Sequence, residues 1–115
     1  SRGLGDVYKR QAAHGQTLAT MLPHVMEYNM SVREEKYAEV ARILAPSGPA
    51  TGAGAIDAVL QLRSDIGIER SITDLGGEGD LLSVLLEDAM ADPVNFTNPR
   101  PVDQAGFEAM YSAAW

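Results

Sequence analysis

The sequence predicts an all-α chain whose helices pack as an irregular bundle. Apolar residues recur at three- and four-residue spacing in five segments. Proline and glycine clusters punctuate the intervals between them. No run of four to eight residues alternates at period two, as a half-buried strand would. The 115 residues suffice for one domain with a modest core.

The first helix is expected from about His14 to Tyr28, with Leu18, Met21, Leu22, Val25 and Met26 near one another on its surface. Pro23 removes one backbone donor there and crowds the preceding turn, which predicts a kink. Asn29 is the expected stop. Ser31-Val32-Arg33-Glu34 then reads as a capping box that opens a second helix. Tyr37, Val40, Ala41 and Leu44 form its apolar stripe, and Pro46-Ser47-Gly48-Pro49 ends it.

Thr51 is placed to cap a third helix. Ile56, Val59, Leu60 and Ile66 recur along it with one polar interruption, Arg63, and Gly67 closes it. Ile68 to Leu75 reads as a short connector, and Gly76-Gly77-Glu78-Gly79 as a loop. Asp80 then caps a fourth helix with Leu82, Leu85, Leu86, Ala89 and Met90 on its core face, ended by Asp92-Pro93. Asn98-Pro99-Arg100-Pro101 is held extended, because each proline steers its predecessor away from the α region. Asp103 caps the last helix, whose stripe is Phe107, Met110, Tyr111 and Ala114.

Charge and composition exclude several functions. Nine Lys and Arg face sixteen Asp and Glu, a net of −7. Such a chain repels phosphate backbones, so nucleic acid is not an expected partner. There is no cysteine, hence no disulfide framework and no thiolate metal site, which fits a reducing, cytoplasmic setting. No apolar run approaches the roughly 20 residues of a membrane helix.

The opening segment fits none of this patterning. Ser1–Gln11 reads SRGLGDVYKRQ, and all eleven residues match a translated adaptor of transposase-based sequencing libraries. Residues 1–11 are therefore expected to be a non-native tail, with the natural sequence beginning at Ala12 of a truncated gene. Without the tail the chain has 6 basic and 15 acidic residues, a net of −9.

The candidate chemical groups are sparse. His14 precedes Gly15 at a helix start, where a glycine allows close approach of backbone or ligand. Imidazole is a common ligand of borderline divalent metals. Taken alone, a single histidine is weak evidence, and His14 reads first as a partly exposed helix-start histidine. His24 and Glu27 share a helix face at i, i+3, as a metal pair could, or His24 satisfies carbonyls freed by Pro23. His14 and His24 cannot share an ion on a continuous helix, because ten residues rise about 15 Å. Glu34, Glu35, Glu39 and Asp57 read as solvated surface. Gly52-Ala53-Gly54 lacks the strand and spacing of a phosphate-binding fingerprint and reads as loop. Ser47, Ser64 and Ser71 have no histidine nearby in sequence to activate them.

Three stretches together carry a family likeness. HGQTLATMLPHVMEYN (14–29), KYAEVARIL (36–44) and DPVNFTNPRPV (92–102), with the closing AMYSAAW, resemble the C-terminal part of the iron-containing alcohol dehydrogenases. The resemblance covers essentially all of 12–115. It implies part of the helical C-terminal domain of a dehydroquinate synthase-like fold. The parent would carry an N-terminal nucleotide-binding domain, bind NAD or NADP, and form a homo-oligomer. It would hold Fe²⁺ or Zn²⁺ by one Asp and three His. The last of those histidines falls on His14; His24 is not among them. The metal would polarise an alcohol or aldehyde oxygen while hydride passes to or from the nicotinamide.

The Asp and the other two histidines would precede His14, where this chain has only the adaptor-like tail. By itself the chain is therefore expected to be inactive and to hold neither metal nor coenzyme. The alternatives are a free-standing helical interaction module, or a fragment of a related glycerol dehydrogenase or maleylacetate reductase.

Overall fold

The computed structural model describes residues 2–68, 71–74 and 81–115, with side chains from Gly15 onward except Leu81 and Val94. Every regular element among them is helical: α1 (Arg2–Leu44), α2 (Gly52–Asp65), α3 (Leu81–Ala91), a 3₁₀ turn (Pro93–Thr97) and α4 (Gln104–Ala114). The helical bundle read from the periodicity is the fold observed. No helix among the described residues is long and apolar enough to cross a membrane.

The two helices expected before residue 45 are both present within α1, but the break between them falls at Arg33 rather than at Asn29. Asn29 does not stop the helix, and Ser31 does not cap a new one. The backbone keeps helical angles through Pro23 and leaves them only at Arg33 (φ −137°, ψ 27°). A straight helix of 43 residues would be about 65 Å long. The longest dimension of the molecule is 47 Å, so the break at Arg33 is what turns the chain back within it.

Glu34 has a different task from the one its spacing suggested. Its carboxylate accepts the backbone N–H of Gly52 at 2.7 Å. It therefore satisfies an orphan donor at the start of α2 and places negative charge at the positive end of that helix. Thr51 caps the same end as expected, accepting from the Gly54 amide at 3.0 Å. Gly52-Ala53-Gly54 is consequently the first turn of α2 rather than a loop. Its glycines let α2 start close against its neighbours: a Cβ on Gly52 would lie 2.8 Å from Met30 Cγ, and one on Gly54 would meet the Pro49 carbonyl oxygen.

The far end of α2 follows the sequence. Gly67 takes φ +78°. The Ile68 amide donates to the Arg63 carbonyl at 2.8 Å and the Gly67 amide to the Ser64 carbonyl at 3.1 Å. These two bonds are a Schellman closure.

The core lies where α2 crosses α1. Met26, Ala41, Ala55 and Val59 are buried there, flanked by Tyr37, Val40 and Ile56. α4 packs on α1, and α3 rests on α4. Asp103 caps α4 as expected, accepting from the Gly106 amide at 2.8 Å, and Met110 and Ala114 are its buried residues. The connector closes the other end of α4. Ile72 N–H donates to the Ala114 carbonyl at 2.8 Å, and Thr73 Oγ1 donates to the Trp115 carbonyl at 2.6 Å. The glycine-rich loop 76–79 and the Asp80 cap lie outside the described residues.

The inward face of α1 is not the expected stripe. Thr20, Pro23, Met26 and Asn29 are buried, while Leu18 and Leu22 are about half exposed (56% and 46%).

Two glycine substitutions test this packing. Gly54→Ala should destabilise the chain by about 1–3 kcal/mol in urea unfolding, because backbone has to move. Gly15→Ala, whose Cβ would meet nothing within 4 Å, should be neutral or stabilise by up to about 1 kcal/mol.

Candidate functional site

The sequence nominated one metal ligand, His14. Its backbone lies in α1, ten residues before His24 on continuous helical backbone. Its side chain lies outside the described residues. Such a separation is about 15 Å, far beyond the span of two ligands on one ion. No group of three His, Cys, Asp or Glu among the described residues is placed to hold a metal.

His24 faces a cation rather than a ligand set. It lines a cavity of about 480 Å³ with Thr20, Arg63 and Ser71. Burial first, then the Arg63 guanidinium, hold its imidazole below the ordinary histidine pKa, and Glu27 pulls the other way. A neighbouring guanidinium that opposes a proton on the ring opposes a dication there too. The i, i+3 spacing of His24 and Glu27 is therefore not a metal pair. Ser71 and His24, distant in sequence, meet at this cavity. Ser71 Oγ accepts from the Asp74 amide at 3.1 Å, while the Ser71 amide donates to Asp74 Oδ2 at 3.0 Å.

The strongest polar construction joins two stretches that are 69 residues apart. Asn29, buried on α1, donates from Nδ2 to Asn98 Oδ1 at 3.0 Å. Asn98 returns the bond from its own Nδ2 to Asn29 Oδ1 at 2.8 Å. Around this pair, Tyr28 Oη donates to the Pro101 carbonyl, and Arg100 Nη1 donates to the Tyr28 carbonyl at 2.9 Å. The Arg100 guanidinium lies 4.0 Å from the centre of the Tyr28 ring, a cation–π contact. Asn98 Nδ2 also reaches the Arg100 carbonyl, which holds the Pro-rich segment in shape. Asn95, one turn earlier, closes α3 by donating to the Ala89 carbonyl.

Sequence reasoning identified both stretches but not their contact. An Asn in mid-helix and an Asn before Pro are each ordinary, and only the fold pairs them.

The comparisons with known proteins agree with one another. The model for the Fe-containing alcohol dehydrogenase family, C-terminal, matches residues 4–115. Lactaldehyde reductase of Escherichia coli K12 is 31% identical over 97% of this chain and 30% of its own length. 1,3-Propanediol dehydrogenase of Klebsiella pneumoniae is also 31% identical, with the same coverage of each chain. Among solved structures, a 1,3-propanediol oxidoreductase superposes with a TM-score of 0.80 at 32% identity, over 89% of this chain and 28% of that one. The chain thus spans less than a third of the relatives it matches.

Two outcomes check the geometry. Asn29→Ala and Asn98→Ala should each destabilise by about 1–3 kcal/mol. The double variant should lose much less than the sum, because each single change strands the other amide; additive losses would refute the pairing. His24 should titrate below about 6.5 in an NMR titration, and Arg63→Met should raise its midpoint. Because the folded-state pKa is depressed, His24 supports the fold above pH ~6.5, and that support is lost as the pH falls.

Proposed function

Since the chain belongs to the iron-containing alcohol dehydrogenase family and corresponds to its C-terminal region, we propose that its parent is a metal-dependent, NAD(P)-linked alcohol dehydrogenase. The parent would move hydride between an alcohol or aldehyde and the nicotinamide. The observation that carries this reading is the match of the family model over residues 4–115. The relatives support the substrate class: lactaldehyde reductase and 1,3-propanediol dehydrogenase are named for small hydroxylated or carbonyl compounds.

The described residues do not amount to a metal site. His14 is the one ligand we assign, and it would need an Asp and two histidines from the parent, upstream of the helix start. When bound there, iron or zinc would supply Lewis-acid polarisation of the substrate oxygen. We assign no step of the reaction to the other described residues of this chain. Alone, it is therefore proposed to be inactive.

The surface supports a chain built to be covered. Leu62 and Ile66 are one turn apart on α2 and exposed at 49% and 59%, and Phe96 is 90% exposed. Exposed apolar side chains of this size fit a docking surface better than open solvent. We assign it to contacts with the parent's nucleotide-binding domain or with further copies of the parent.

The adaptor reading of Ser1–Gln11 rests on the codon match of those eleven residues. The family match reaches back to residue 4, so the parent gene is the arbiter. Its sequence upstream of Ala12 should differ from Ser1–Gln11 and should encode an Asp, two His and a nucleotide-binding half.

Two assays test the proposal. The isolated chain should show no alcohol-dependent reduction of NAD or NADP; turnover would overturn its assignment as an inactive part. In the full-length parent, His14→Ala should strip most of the iron or zinc measured by elemental analysis. Unchanged metal content would remove His14 from the ligand set.

A further inference from the structure

The cavity between α1, α2, the 71–74 turn and the end of α4 has no part in the proposed metal chemistry, and its lining is one-sided. Its polar groups are the Arg63 guanidinium, the His24 imidazole and the hydroxyls of Thr20 and Ser71, with Leu60 and two alanines as the apolar remainder. All four polar groups can donate hydrogen bonds. Among the described residues, no carboxylate lines it.

Arg63 sits on the packing side of α2, half-buried, one turn beyond the core residue Val59. Its Nε donates to the Ile68 carbonyl at 3.2 Å, which anchors the guanidinium beside the Schellman closure. It forms no ion pair among the described residues. The His24 imidazole makes no hydrogen bond among them. Among the described residues, this half-buried cation has no counter-charge and the imidazole beside it no hydrogen bond, a combination that an anion complements.

Two carboxylates stand near the cavity without entering its lining. Glu27 acts on His24 from one turn along α1. Asp74 is engaged by the Ser71 amide.

We propose that this cavity binds a small oxyanion, a phosphate or a carboxylate, between the Arg63 guanidinium and the His24 imidazole. Arg63 supplies the fixed charge and a planar pair of donors. Ser71 adds a hydroxyl contact. Bound anion charge offsets the effect of Arg63 on His24, so binding draws a proton onto the imidazole. The proposal does not depend on the dehydrogenase reading, because none of its residues is assigned to the metal.

The test is an NMR titration of the chain at pH 7 with sodium phosphate and, separately, sodium acetate, at ionic strength matched with chloride. His24→Gln assigns the imidazole signals, and His14 serves as the internal control. The expected result is a saturable shift of the His24 signals with phosphate, acetate or both, absent at His14, with the His24 midpoint raised. Arg63→Met should weaken the affinity by about tenfold or more, the loss of a charge-assisted contact. Arg63→Lys should bind between the two and carries the comparison if circular dichroism shows Arg63→Met unfolded. No saturable shift with either anion, equal shifts at both histidines, or affinity unchanged in the Arg63 variants would each overturn the proposal.

Discussion

The paired amides of Asn29 and Asn98 are the constraint on which this architecture turns. An Asn side chain in a helix interior is a liability unless both of its polar ends are met, since a buried unpaired amide costs about 1–3 kcal/mol. Here each amide is the complement of the other, at 3.0 and 2.8 Å. Meeting that requirement fixes α1 against the Pro-rich segment in one register. Tyr28 and Arg100 brace the contact on its exposed side. From it, α3 is set on one side by Asn95, and α4 begins on the other at Asp103. The likeness of HVMEYN and NPRPV to the family is thus one feature in three dimensions, read in sequence as two.

Caps and periodicity were legible because they are local. Thr51, Gly67 and Asp103 each act within about five residues of themselves, and each does what its residue type favours. Glu34 was misread for the opposite reason. Its i, i+3 relation to Ser31 satisfies a capping-box pattern, yet the donor it meets belongs to Gly52, 18 residues on. Nothing in local spacing separates a carboxylate that caps its own helix from one that caps the next. The break at Arg33 is similar. Pro23 was the visible reason for a bend, but the turn occurs where α2 folds back on α1.

The apolar stripe of α1 shows a further limit. Leu18, Met21, Leu22, Val25 and Met26 look equivalent by periodicity, but Met26 is buried and Leu18 and Leu22 are not. Periodicity reports that a helix has a face to hide, not whether the cover belongs to the same polypeptide. The candidate site divides in the same way. His14 is legible by likeness alone, because a single imidazole has no pattern of its own. The meeting of His24 with Arg63 and Ser71 needed the fold, since His24 is far from both in sequence.

The Asn29–Asn98 bond also bears on biosynthesis. Asn98 lies 69 residues after Asn29, so a growing chain cannot pair the two amides until that whole span has been made. With elongation at roughly 5–20 residues per second, Asn29 waits several seconds with its amide hydrated by solvent. Closing a span of 69 residues is then a late event whose entropy must be met all at once. A chain cut anywhere before Asn98 would leave the earlier helices without their fastening.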